Sequence, residues 1–171
     1  MSAAPPEPWL RGPIAGVPPL LQPAAHGLIH ALETAESAAA ELPEELLWRK
    51  PGTAASAGFH LLHLSGSTDR LFTYARDESL SETQRAALLA EQAPERTGLT
   101  RDALLAGWRD TVARALRQLA GTAESTLGDP RFVGRARLPS TVLGLLFHAA
   151  EHAQRHAGQL VTTAKIVGAR S

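Results

Sequence analysis

At 171 residues the chain is long enough for one domain and short for two. Hydrophobic residues make up 44% and charged residues 20%, a globular usage that excludes a disordered chain. Lys and Arg (17) balance Asp and Glu (17), which speaks against nucleic acid as a partner, and the absence of Cys removes disulfides, thiolate ligands and a Cys nucleophile.

Taken from the start, Pro5, Pro6, Pro8, Pro13, Pro18 and Pro19 keep the first segment extended or turned. Its Trp9, Leu10 and Ile14 predict a proline-rich arm over 1–19 that packs on a single domain over 20–171. The arm has no apolar signal core, and no run approaches the roughly 18 apolar residues of a membrane span. The expected location is therefore cytoplasmic, with no membrane partner.

Leu21, Ala25, Leu28, Leu32, Ala35, Ala39 and Leu42 recur by three and four, the stripe of a helix that Pro43 stops. After the Pro51-Gly52 turn, Thr53 or Ser56 caps a second helix running to about Arg76, with Phe59, Leu62, His63, Gly66 and Arg70 down one side. The connection from Asp77 to Leu99 is long for a compact bundle. Within it, Ser81 and Gln84 form a capping-box pattern that predicts a short helix from Glu82 to Glu91. A third long helix after Thr100 buries Leu104, Trp108, Val112, Ala115 and Leu119. Gly121 to Leu138 reads as loop, and a last helix runs from about Ser140 to Val167, stopped by Gly168. Its buried stripe is Leu145, Ala149, His152, His156, Leu160 and Thr163. No segment sustains a period of two. The expected fold is all-α: an up-down-type four-helix bundle with the arm and one short extra helix between helices 2 and 3.

Seven histidines stand out. Residues four apart on a helix are offset by roughly 40° and lie about 6 Å apart, so two imidazoles at that spacing can share an ion. His26 and His30 have the spacing but lie roughly 160° from the buried Leu28, and are expected to face water. His152 and His156 fall within a buried stripe, where two unpartnered rings would be costly. A shared metal resolves that cost; two core histidines satisfied by neighbouring side chains are the plainer alternative. A third ligand comes from His60 or His63 on the second helix. His63 is favoured, because the small Gly66 and Ser67 one turn on leave room for an ion and a water. Three imidazoles with open positions suit catalytic Zn²⁺, and equally Ni²⁺ or Fe²⁺.

The stretches Gly58-Phe59-His60-Leu61-Leu62-His63-Leu64-Ser65-Gly66-Ser67-Thr68-Asp69-Arg70-Leu71 and Glu151-His152-Ala153-Gln154-Arg155-His156-Ala157-Gly158-Gln159-Leu160 resemble the DinB-like (damage-inducible) family of four-helix-bundle metalloproteins. The resemblance covers most of the chain. It implies a divalent metal held by one His of the second helix and an H-x-x-x-H pair of the last, here His63, His152 and His156. His60 and His148, each one turn from a proposed ligand, could replace it or orient it from outside; Glu151 could accept a hydrogen bond there, although a helix-surface charge is its plainer reading. The family's activities include transfer to low-molecular-weight thiols and thiol-assisted isomerisation; its name does not imply DNA binding. Dimers are common in it, so the resemblance allows a homodimer.

His148-Ala149-Ala150-Glu151-His152 also spells H-x-x-E-H, the pattern of inverted zinc proteases, but no Asp or Glu follows His152 to supply their further ligand. Ser65-Gly66-Ser67 lies inside a predicted helix and lacks the strand-turn-helix setting of a serine hydrolase. Arg131, Arg135 and Arg137 could receive an anionic substrate at the bundle mouth, although such clusters are usually solvated surface. The expected function is a metal-dependent transferase or hydrolase acting on a small molecule, with a metal-bound water or thiolate and a thiol as a candidate co-substrate. The rival is a non-catalytic metal-stabilised bundle or dimerisation module. No catalytic residue is assigned beyond the metal set.

Overall fold

The structure, a computed structural model, describes residues 5–169; the first four residues of the arm, 1–4, and the last two of the domain, 170 and 171, lie outside the described residues. Five α-helices form it: α1 (Gln22–Ala40), α2 (Ala57–Ala75), α3 (Glu82–Ala90), α4 (Arg101–Gly121) and α5 (Val142–Gly168). Four of the starts are set by hydroxyl caps. Ser56 accepts from the Phe59 amide at 3.2 Å, Thr100 from Ala103 at 3.2 Å and Thr141 from Gly144 at 3.0 Å. At α3 the box is reciprocal, with Ser81 Oγ accepting from the Gln84 amide and Gln84 Oε1 from the Ser81 amide. Each such cap contributes about 1 kcal/mol.

The all-α expectation needs one correction. Strands β1 (Pro130–Val133) and β2 (Leu138–Thr141) pair antiparallel, Pro130 opposite Thr141 and Val133 opposite Leu138. Gly134 (φ 66°) and Arg137 (φ 49°) turn the chain between them. Strands of four residues carry too little alternation to register as a period, and the pair is fixed locally, by its turn and by Arg137 stacked 4.3 Å over the Phe132 ring.

The helix directions correct the up-down expectation as well. His60 meets His156 while His63 meets His152, so α2 and α5 are antiparallel. Along α2 and α4 the partners rise together, Ser65 near Gly107 and Phe72 O accepting from Gln118 Nε2, so these two are parallel. Between α1 and α4 they run oppositely, with Leu42 O bound by Arg101 and Glu36 by Arg109. Gly27 of α1 faces Ala150 and Gln154 of α5, while Ala38 shares a cleft with Val161 and Ala164, which makes α1 and α5 parallel. Thus α1 and α5 point one way and α2 and α4 the other. The physical cause is the connection 76–100, long enough to carry the chain back along the bundle before α4 begins.

The core runs down the middle of these helices. Leu21, Leu28, Leu61, Leu64, Trp108, Leu119, Leu146 and Leu160 are fully buried. The α2 residues that pack there, Ala57, Leu61, Leu64, Thr68 and Phe72, leave Phe59 and His63 on a half-buried flank beside α5. Among the described residues no helix is long and apolar enough to cross a membrane.

Gly58 shows how tightly the entry to α2 is packed. A Cβ there would lie 2.5 Å from Cε3 and Cζ3 of Trp48. Gly58→Ala should therefore cost about 1–3 kcal/mol through overpacking, more than the methyl gains in helix propensity. A urea midpoint equal to or above that of the natural chain would refute this.

Candidate metal centre

The site is assembled on facing flanks of α2 and α5. His63 projects from α2 in register with His152 and His156, which are one turn apart on α5. One ring nitrogen from each of the three lies within 4.8 Å of the other two. The ring centroids are 5.2 Å apart for His63 and His152, 4.4 Å for His63 and His156, and 4.6 Å for His152 and His156. His63 Nε2 and His152 Nε2 are already 2.9 Å from each other. All three rings are half-buried at the edge of the apolar stripe.

Two surroundings prepare the rings. Phe59 stacks on His63 at 5.3 Å, with the ring planes 11° apart. The other nitrogen of His63, Nδ1, lies 2.6 Å from Glu91 Oε2. Arg70 holds the same carboxylate, its Nη1 donating to Oε1 at 2.7 Å and its Nη2 to Oε2 at 3.3 Å. Burial alone would push the Glu91 carboxyl up, but hydrogen bonds from His63 and Arg70 outweigh it and hold it below the usual range. An ionised carboxylate only accepts, so His63 Nδ1 donates to Glu91 and its Nε2 is the nitrogen turned towards the cluster.

Burial, with the neighbouring His63 second, lowers the other rings, His152 to about 4 and His156 to about 3. At neutral pH both are uncharged, the form that coordinates a cation. Two ring nitrogens 2.9 Å apart are held together by a proton or a cation between them. Three imidazole nitrogens within 4.8 Å of one another are a donor set that fits a borderline divalent ion. One loose end remains: His152 Nδ1 is buried with no hydrogen-bond partner among the described residues.

The remaining histidines are distributed differently. His60 is buried, its Nδ1 is 3.1 Å from His156 Nδ1, and burial lowers it to about 4. His148 is half exposed and lies 3.2 Å from Glu151, whose carboxylate also accepts from Arg155 on the helix surface. His26 bonds the Gly12 carbonyl of the arm at 3.0 Å instead of facing only water, since the arm folds back over α1. His30 lines a cleft beside Arg11 and Glu33.

The arginines of the hairpin stand apart from the rings. Arg131 Nε donates to Ala75 O, about 18 Å down α2 from His63 at 1.5 Å per residue. Arg137 is stacked on Phe132, and Arg135 shares a cleft with Tyr74 and Arg85. They do not form a mouth for the cluster.

The space beside Gly66 is also not where the sequence suggests. A Cβ on Gly66 would run into Glu91 Oε1 and lie 2.7 Å from Arg70 Nη1, so this glycine makes room for the ion pair and not for an ion and a water. Glu91 is expected from the sequence only as the end of the short helix, with nothing to mark it as a partner of His63. The only hint is Arg70 on the half-buried flank, a cation that needs an acid, and nothing in the spacing says which acid.

An open cleft of 720 Å³ adjoins the rings, lined by Phe59, His60, Arg155, His156, Gln159 and Thr162 among others. A slightly larger cleft, 780 Å³, lies between the arm, α1 and α5, and no ring of the cluster lines it. Of the two, only the first is lined by a ring of the cluster, His156.

The DinB superfamily profile matches residues 28–160, which contain α2 through most of α5 and all three clustered histidines. No curated protein matches the chain.

Proposed function

Because the chain belongs to the DinB superfamily, we propose that it holds a divalent metal ion on His63, His152 and His156 and acts as a metal-dependent transferase or hydrolase on a small molecule. The observation that carries this reading is the approach of the three imidazoles to within 4.8 Å, with the free nitrogen of His63 committed to Glu91. Zn²⁺ is the first choice for three neutral imidazoles, with Ni²⁺ or Fe²⁺ the alternatives. When bound, such an ion supplies Lewis acidity, which lowers the pKa of a coordinated water or thiol.

The chain's own residues do the rest. His63 turns Nε2 to the site while its Nδ1 donates to Glu91, and the neutral His152 and His156 need lose no proton to coordinate. Phe59 screens one face of His63 from water. The 720 Å³ cleft is of the size that admits a small molecule, and His156 is in its wall. That cleft favours catalysis over a purely structural site, which needs no open side. A thiol co-substrate would have to come from outside, because the chain has no Cys. His60 orients His156 through their Nδ1 atoms in this reading, and His148 and Glu151 stay on the surface.

Elemental analysis of protein purified without chelator or affinity tag tests the proposal. One divalent ion per chain is expected. Less than about 0.2 per chain, even after Zn²⁺, Ni²⁺ and Fe²⁺ are added back, would refute it.

A further inference from the structure

Helix α3 has no buried residue, so little apolar contact holds it to the bundle. Polar ties hold it instead. Gln84 Nε2 donates to Asp69 Oδ2 at 2.6 Å and to Thr73 Oγ1 at 2.7 Å. At the other end Glu91, the residue that closes the helix, reaches across to His63 and Arg70. Its side chain is 8% exposed, which a carboxylate tolerates only when fully partnered. The bundle is built to receive it: Gly66 sits where any side chain would strike the carboxylate, in a helix interior where glycine costs about 1 kcal/mol relative to alanine.

From this we infer that Glu91 is a positioning residue for the metal centre, and that through it the ion and the docking of α3 stabilise one another. The inference rests on the proposed metal set. Glu91 fixes which nitrogen of His63 is protonated and how the ring is turned, and it makes Nε2 a stronger donor. Coupling is reciprocal: whatever affinity Glu91 adds to the ion, the ion returns as tighter attachment of the Glu91 end of α3. Loss of Glu91 removes both effects and leaves the ligands in place.

The test uses Co²⁺ as a coloured probe on the full chain, with affinity set by competition against a chelator and hydrogen exchange followed over residues 82–91. The natural chain should bind one Co²⁺, and the amides of α3 should exchange more slowly when it does. Glu91→Ala should weaken Co²⁺ binding by about 10–100-fold and abolish the metal-dependent slowing. Glu91→Gln, which keeps an acceptor for His63 and the shape but not the charge that pairs Arg70, should lower the melting temperature and yet lose less Co²⁺ affinity than the alanine variant. A general structural role would lower the melting temperature of both variants without removing the metal dependence of exchange. Variants that bind Co²⁺ as tightly as the natural chain, with α3 still protected by metal, overturn the role of Glu91 alone. A natural chain that takes up no Co²⁺ overturns the metal reading and this inference with it.

Discussion

His152→Ala leaves a folded chain that no longer holds a divalent ion. Only two imidazoles then remain, and the loss in affinity should exceed the roughly 10–100-fold typical of removing a hydrogen-bond partner outside the ligand set. The melting temperature separates the two roles the centre could have. The natural chain at a free metal concentration of 100 Kd gains about 2.7 kcal/mol, and the variant should gain nothing. In metal-free buffer the two should unfold alike within about 1 kcal/mol, because the deleted ring has a buried Nδ1 with no hydrogen-bond partner among the described residues. His63→Ala should lose the metal as well, while also leaving Glu91 with Arg70 as its one remaining side-chain hydrogen-bond donor among the described residues. If either variant still binds Zn²⁺ one to one with unchanged affinity, the three-histidine set is wrong. If the metal-free variants collapse, the centre serves the scaffold instead of chemistry.

The second large effect is expected far from the rings. Trp108, in the middle of α4, is fully buried with Leu61, Leu64 and Leu119 in the same core. Truncation to alanine should cost about 3–5 kcal/mol, from lost transfer energy and the cavity left behind. That is a large share of the 5–15 kcal/mol typical of a whole domain. Urea unfolding checks it: the midpoint should fall steeply with little change in slope. A loss under about 1 kcal/mol would mean that the surrounding leucines collapse into the space.

Much of this protein follows from its sequence. Apolar residues spaced by three and four mark α1, α4 and α5, because a helix that buries one face must repeat with its own turn. Thr100 and the Ser81–Gln84 pair mark where α4 and α3 begin, since an exposed amide at a helix start takes the nearest hydroxyl. The pairing of His152 with His156 is likewise local, fixed by the pitch of one helix. His63 does lie beside that pair, although the space at Gly66 that favours it in the sequence is taken by Glu91 and Arg70.

What the sequence left open depends on contacts between segments distant along the chain. Hydrophobic stripes say that helices pack, but the same stripes serve parallel and antiparallel neighbours, so the direction of α4 against α2 was decided by the path of residues 76–100. Gly66 reads as free space until the fold brings Glu91 into it from 25 residues further on. No periodicity couples an arginine on α2 to an acid at the end of α3, nor sends Arg131 to the far end of the bundle. One helix can write its own turn and caps into its residues; the partner of a buried charge is known only when the chain has folded back on itself.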